Sequence, residues 1–309
     1  MTKKQVAGFF AYARERYAVM LRKDRNEPKP WTKDKILQQY RFCNVFREDD
    51  KVTKWFRESG ARTTTFSCVA FRLINRISTA EIMHKAGLFQ DWKPKLAAKL
   101  LRDVHPLVSG AYIIHTPYGL NKLDGVISML EPVWRDQQDG VLNFENHNLS
   151  MAHQFLTNYD CIGSFIAYEV VTDLNHTPVL EEAEDARTWA AAGPGAARGL
   201  SRILGLPLDN WKYGRPKDAA EMNLLMRELL TQLRDPELWP TKWPRWDMRT
   251  VEHTLCEFDK YERVRLGEGR PKQLYQGEKD WGICADCGTA MVPKKSSCIC
   301  PNCHWYPRS

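Results

Sequence analysis

Apolar residues recur every three or four positions through most of the first 265 residues, and only one short stretch alternates like a strand. That periodicity confines the chain to a mainly helical fold. Residues 3–22 carry it first, and EPKPW then breaks the chain before Thr32, a plausible N-cap. Further helices read at 32–50, 51–58, 63–76, 79–86, 92–105, 122–137, 150–157 and 164–174. The segment 221–234 (EMNLLMRELLTQLR) is the cleanest amphipathic helix, and 251–265 is the last. The strand-like exception is GAYIIHTPYGL, residues 110–120. No repeat, low-complexity tract or heptad run appears, so residues 1–270 read as one helical domain. Within it, the proline- and tryptophan-rich stretch 236–249 (PELWPTKWPRWDMR) reads as an extended strap pinned by its tryptophans, with a base-stacking platform as the sharper alternative.

The helix expected over 32–50 (TKDKILQQYRFCNVFREDD) does not separate its wet and dry faces. Ile36, Tyr40, Cys43 and Phe46 share one side, yet Arg47 projects into its middle, Gln39 onto its edge and Asn44 just beyond. A guanidinium on an apolar face is costly without hydrogen-bond partners. These side chains therefore either brace the core or face a pocket for a polar ligand.

Residues 271–309 form a second unit. Five of the nine cysteines fall in the last 26 residues, and Cys284-x-x-Cys287 with Cys300-x-x-Cys303, twelve residues apart, matches a zinc ribbon. Four thiolates close the tetrahedron, so this Zn2+ would be structural. Cys298 is an alternative to Cys300, but CPNC repeats the knuckle form of CADC. With no secretory or membrane-spanning segment visible, the cysteine usage points to a reducing, cytoplasmic location. The net charge of +7, pI near 8.9 and eleven tryptophans suit a polyanionic partner without proving one.

Three constellations could carry chemistry. In YDCIGSFIAYEVVTDL (159–174), a tight turn at Gly163 before a helix has the form of a helix-hairpin-helix, whose backbone N–H groups meet DNA phosphates. Its helix puts Ile166, Ala167, Val170, Val171 and Leu174 on one face and Glu169 with Asp173 on the other, either solvated or available as paired carboxylates. In DARTWAAAGPGAARGLSRILG (185–205), a stiff turn opens a helix bearing Arg198 and Arg202, a phosphate cradle or a plain turn with wet arginines. No G-x-x-x-x-G-K-[ST] occurs, which excludes a Walker-type kinase reading of this sequence. In VEHTLCEFDKYERVR (251–265), His253, Cys256, Glu257 and Lys260 share a face suited to proton transfer, and Lys260 would lower the pKa of Cys256. Tyr261 lies on the other side. The bland reading is surface charge pairs that stabilise a helix.

The segments ILQQYRFCNVFREDDKVTKWF, YDCIGSFIAYEVVTDL, WAAAGPGAARGL and EHTLCEFDKYERVRLGEGRPKQLY resemble the bacteriophage amino acid:DNA transferases, first called alpha-glutamyl/putrescinyl thymine pyrophosphorylases. That family shares a helical domain with the 5-hydroxymethyluracil DNA kinases, and the resemblance runs from about residue 9 to 275. It implies a helix-hairpin-helix DNA glycosylase-like fold and a reaction on phosphorylated 5-hydroxymethyluracil in double-stranded phage DNA. There an amine, such as that of a free amino acid, replaces phosphate or pyrophosphate on the C5 methylene. It further implies an infected bacterial cytoplasm and a phage DNA kinase as partner. Two features depart from base-excising relatives: Phe165 stands where lyase-type glycosylases carry a lysine, and Asp185 only loosely matches their aspartate.

The implied site residues follow from that chemistry. Gln39, Arg41, Cys43, Asn44, Arg47, Gly163, Arg198, Arg202 and Tyr261 are the expected contacts to DNA, base or phosphate. Asp173, Asp185, His253, Glu257, Lys260 and Cys256 are the expected acid, base or ammonium groups. A thiolate of Cys43 or Cys256 adding at uracil C6 would be one way to expel the phosphate. The competing expectations are a glycosylase-like base remover and a non-catalytic DNA-binding partner of a kinase.

Overall fold

A computed structural model describes residues 1–144, 148–269 and 271, together with the backbone of 292–294 and 297–299. Twelve α-helices account for most of the described residues: α1 (Lys3–Asp24), α2 (Lys35–Gln39), α3 (Lys51–Glu58), α4 (Thr65–Ile74), α5 (Ile77–Lys85), α6 (Pro94–Leu101), α7 (Lys122–Gln138), α8 (Leu149–Leu156), α9 (Ser164–Leu174), α10 (Pro194–Leu204), α11 (Pro216–Gln232) and α12 (Met248–Arg265). None is long and apolar enough to cross a membrane.

The helix ends follow local chemistry. Thr2 and Gln5 close a reciprocal capping box on α1, and Thr64 with Ser67 does the same for α4. Asn75 ends α4 in the left-handed conformation, which asparagine tolerates better than most residues. Pro94, Pro194 and Pro216 stand at helix starts, where a missing N–H costs nothing.

Two elements differ from expectation. The helix over 32–50 is broken: Asp34 rather than Thr32 caps α2, and the backbone runs extended from Tyr40 before a short 3-10 turn at Arg47–Asp49. Tyr40 and Phe42 are buried on either side of exposed Arg41, a strand-like alternation. Arg16 holds this segment by donating to the carbonyls of Phe42 and Cys43, which a helix would have used internally. Residues 110–120 form no strand: turns at 110–111 and 118–119 flank an irregular stretch, and no neighbouring strand pairs with them among the described residues. The segment is instead held by side chains of neighbouring helices: Lys122 of α7 donates to the carbonyl of Ile114, and the Tyr112 ring meets that of Phe165 of α9.

Three helix pairs set the frame of the site. α9 packs against both α4 and α8, and α10 packs along α12 more extensively than any other pair among the described residues. Gly195 and Gly199 make that approach possible. A Cβ at Gly199 would collide with the Leu255 carbonyl and lie 2.9 Å from its carbon, while one at Gly195 would collide with the Cys256 sulfur. Backbone cannot step aside as a flexible side chain can. Gly199→Ala is therefore expected to destabilise by about 1–3 kcal/mol through overpacking, whereas helix propensity alone would favour alanine. Urea unfolding of the variant measures this.

The strap over 236–249 is pinned by its tryptophans as expected, but its backbone turns rather than extends, with the N–H groups of Trp239 and Trp243 donating to the carbonyls of Asp235 and Pro240, and α12 begins at Met248. Trp246 and Trp239 are buried, and Trp246 stands 6.0 Å from Phe9 and 5.9 Å from Phe10 of α1. At the far end, β1 (Val292–Lys294) and β2 (Ser297–Ile299) pair antiparallel with Pro293 opposite Cys298. Cys284, Cys287, Cys300 and Cys303 lie outside the described residues.

Candidate functional site

The face of α9 that looked wet is inside. Glu169 and Asp173 are 3% and 1% exposed, and α9 is buried from Ile166 to Leu174 on every side. Two carboxylates four residues apart are tolerated there because four guanidiniums, of Arg47, Arg62, Arg72 and Arg249, reach them from other segments. Arg72, in the middle of the apolar run of α4, makes a two-pronged pair with Asp173: Nε to Oδ2 at 2.6 Å and Nη2 to Oδ1 at 2.5 Å. Arg62 approaches Asp173 at 3.8 Å while donating to Glu48. Asp173 is thus committed to the core, which corrects its expected role as catalytic acid or base.

Glu169 is the hub of a second, less enclosed cluster. Arg249 of α12 donates to its Oε1, while Arg47 (3.2 Å) and the Tyr112 hydroxyl (2.7 Å) donate to Oε2. Arg72 also stands 3.7 Å away. Burial works to raise the Glu169 pKa, but Arg249, Arg47 and Arg72 outweigh it and hold the carboxyl well below the usual range. Arg47 in addition pairs with Asp50 at 2.7 Å and donates to Tyr112. Arg249 pairs with Glu252 at 3.2 Å and lies over the Tyr168 ring, 4.7 Å from its centre. Arg47 therefore braces buried carboxylates, and so one of the two readings of its position holds.

The bracing is incomplete. Nε of Arg47, Nε of Arg249 and Nε2 of His253 are buried with no partner among the described residues. The two guanidinium N–H groups, each costing about 1–3 kcal/mol unpaired, mark a place prepared for acceptor oxygens, with the imidazole nitrogen of His253 beside them. Arg47 and Arg249 retain 18% and 13% side-chain exposure, so this cluster borders solvent where the Arg72–Asp173 pair does not.

α12 supplies the rest of the neighbourhood. Burial, then Arg249 and Arg47, push the His253 pKa down to about 4, leaving a neutral imidazole near pH 7. A histidine near 6.5 when unfolded and near 4 when folded binds fewer protons in the native state. Its contribution is intact above about pH 6.5 and fades as pH falls towards 4, amounting to about 2 kcal/mol between about pH 7.5 and pH 5. His253→Asn is expected to remove that part of the acid slope in urea titrations.

Burial also raises the Glu252 carboxyl, against the pull of Arg249 and with a push from Glu169. Glu257 accepts from the backbone N–H of Cys43 and pairs with Lys260 at 3.0 Å. The two cysteines differ from expectation. Burial with Glu257 and Asp50 pushes Cys43 up to about 12, and burial raises Cys256 well above the usual thiol value against the pull of Arg249 and Arg198. Neither site favours a thiolate, so the C6-addition idea loses its chemical basis.

Ligand atoms of Cys43, Asp50 and His253 fall within 4.8 Å of one another, the only such trio among the described residues. Asp50 is already engaged by Arg47 and by the Asn44 N–H, and two guanidiniums press on His253. Those surroundings suit an anion or a neutral donor better than a second cation.

Other expected site residues lie elsewhere. Arg198 and Arg202 both bind the buried carboxylate of Asp259, at 2.9 and 2.8 Å, and Arg202 also holds Glu268. The cradle they were expected to form is filled by α12, so they tie α10 to it. Asp185 accepts from the N–H groups of Leu149 and Ser150 and anchors the start of α8. Tyr261 donates to Asp34 at 2.6 Å. Asn44 braces its own loop through Asp49, Asp50 and Arg16. Gln39 and Arg41 are exposed. Gly163 is the extended N-cap of α9, and the turn that joins α8 to α9 lies before it, over residues 157–161, rather than at the glycine.

Arg72, Tyr112, Arg249 and Glu252 were missed. The available signal was charge inside apolar runs: Arg72 within TFSCVAFRLI, and Arg249 with Glu252 one turn apart at the start of α12.

An all-helical domain with an ionised interior cluster that opens at Arg47 and Arg249 defines the class. The family described as the 5-hmdU DNA kinase helical domain matches residues 3–270, and the chain belongs to it. Among curated proteins, a 5-hmdU DNA kinase of Bacillus phage SP10 is 24% identical over 271 residues, covering 75% of this chain and 41% of that protein. The chain thus spans less than half the length of this relative. No solved structure matches.

Proposed function

We propose that the protein is an amino acid:DNA transferase acting on phosphorylated 5-hydroxymethyluracil in phage DNA. The observation that carries this reading is the pair of guanidiniums, Arg47 and Arg249, ordered by Glu169 yet each keeping a buried, unpartnered Nε. Arginine forks match phosphate oxygens, and fixed donors in a partly buried site act where charge develops on a leaving phosphate. The kinship with a domain of 5-hmdU DNA kinases supports a substrate bearing that base, and a DNA kinase reaction would supply it in phosphorylated form.

In the proposed reaction the amine nitrogen bonds to the C5 methylene carbon as the carbon–oxygen bond to phosphate breaks. Phosphate or pyrophosphate departs with the bonding electrons to Arg47 and Arg249. Because an ammonium is not a nucleophile, a base must take its proton. Glu252, whose burial raises its basicity, is placed for this beside Arg249. His253 offers its unpartnered nitrogen to the base edge or the phosphate. The target base leaves the duplex stack to reach these groups, at a cost of a few kcal/mol. The hairpin of α8 and α9, in a helix-hairpin-helix glycosylase-like arrangement, holds the flanking backbone. Residues 271–309 form the zinc ribbon of this reading, with Cys284, Cys287, Cys300 and Cys303 holding one structural Zn2+. The β1–β2 hairpin between the two cysteine pairs fits that assignment.

Mass spectrometry of nucleosides tests the proposal. The protein is incubated with duplex DNA carrying phosphorylated 5-hydroxymethyluracil and a set of amino acids. A new amine-bearing nucleoside is expected. Abasic sites, or unchanged nucleosides with retained DNA binding, would contradict it.

A further inference from the structure

A groove of about 710 Å³ runs between the C-terminal half of α11 and the tryptophan strap, away from the Glu169 cluster. Four arginines line it: Arg187 from the turn before α10, Arg227 and Arg234 from α11 and its end, and Arg245 from the strap. All four are exposed, and no aspartate or glutamate lines the groove. Arg187 donates to the Trp246 carbonyl, whereas the side chains of Arg227, Arg234 and Arg245 have no hydrogen-bond or ion-pair partner among the described residues. This contrasts with the guanidiniums of the interior, each of which is held by carboxylates.

The groove is also shaped. Arg227 stands in the last two turns of α11 and Arg234 just past its C-cap Leu233, and both line the same wall of the groove. Its floor is firm because Trp239 and Trp246 are buried against Tyr17 and α1, with Trp243 half-buried beside them. Like charges on two walls of a rigid groove repel one another and add nothing to folding unless an anion lies between them. One arginine near a helix C-terminus has the helix dipole to explain it. Four around one groove do not.

We infer that this groove binds the phosphodiester backbone of the DNA substrate, outside the reacting base. Spaced guanidiniums over an apolar floor fit a strand of regularly placed phosphates better than a single small anion. The inference rests on the proposal that the protein works on DNA, but it does not require that transfer be the reaction.

The test measures affinity for an unmodified duplex by fluorescence anisotropy across a salt series, using the full chain. Each released phosphate contact changes the slope of log K against log salt by about 0.9. Arg227→Ala/Arg234→Ala should flatten the slope by about 1.8 units and weaken binding about tenfold or more at moderate salt. Arg245→Gln, on the strap, should flatten it by about 0.9 independently of α11. Lys95→Ala/Lys99→Ala removes the same charge from the exposed face of α6 and should leave the slope unchanged. Groove variants that match this control would overturn the inference. The modified-nucleoside assay separates the two proposals: slope changes without any transfer product leave the groove standing, and a transfer product with unchanged slopes removes only the groove.

Discussion

Replacing Asp173 by alanine is expected to cost about 3–5 kcal/mol and to lower the melting temperature by about 10 °C. The reason is the partner left behind. Arg72 is 1% exposed, and Asp173 supplies both of its short contacts. Without that carboxylate a guanidinium is stranded among the side chains of α4 and α9, with Thr53 and Asn75 at 3.2 and 3.5 Å as its remaining protein acceptors besides Glu169. The companion variant Arg72→Met/Asp173→Leu removes both charges, and should recover most of the loss because a buried pair yields little over a well-packed apolar substitute. Differential scanning calorimetry on the three proteins decides the matter. A loss below 1 kcal/mol for Asp173→Ala would mean that the pair is not the brace described above.

The second large effect falls on activity. Arg47→Ala should reduce transfer by about 100–1,000-fold while costing only about 1–2 kcal/mol of stability. The asymmetry follows from the cluster: Glu169 keeps Arg249, Tyr112 and Arg72 when Arg47 is lost, while Asp50 loses its ion pair but keeps the Asn44 N–H and a solvent-reached edge. Arg47→Lys keeps the charge but not the planar fork, and should restore only a small part of the activity. Calorimetry beside the single-turnover rate separates the two effects. An inactive variant that is also unfolded would assign Arg47 to the core alone.

How much of this was legible in the sequence differs by element. α3 was placed to the residue, α7 and α8 to within one, and the pinning of the strap was read correctly, since each depends on local periodicity or on proline and tryptophan spacing. The 32–50 helix failed because Arg16, sixteen residues before the segment, takes the carbonyls that a helix would use. Periodicity cannot see such a partner, although the buried–exposed–buried run Tyr40, Arg41, Phe42 was a local clue. The same limit explains Glu169 and Asp173. Their spacing was read correctly, but a carboxylate facing solvent and one facing Arg72 look alike until α4 is placed beside α9. Arg198 and Arg202 show the reverse error: a helix start with two arginines resembles a phosphate site until Asp259 arrives from α12. Arg47 is the instructive residue. Its conflict with an apolar face was visible, and the structure answers it with partners on three sides and one nitrogen left over.

The most direct test follows both halves of the exchange at once, with labelled glycine as the amine and labelled phosphate on the 5-hydroxymethyluracil of duplex DNA. The account predicts that the two signals change in step: each amine entering DNA accompanies one phosphate, or pyrophosphate, leaving it, and Arg47→Ala loses both together. Phosphate release without amine incorporation, or base release that leaves abasic sites, would contradict it.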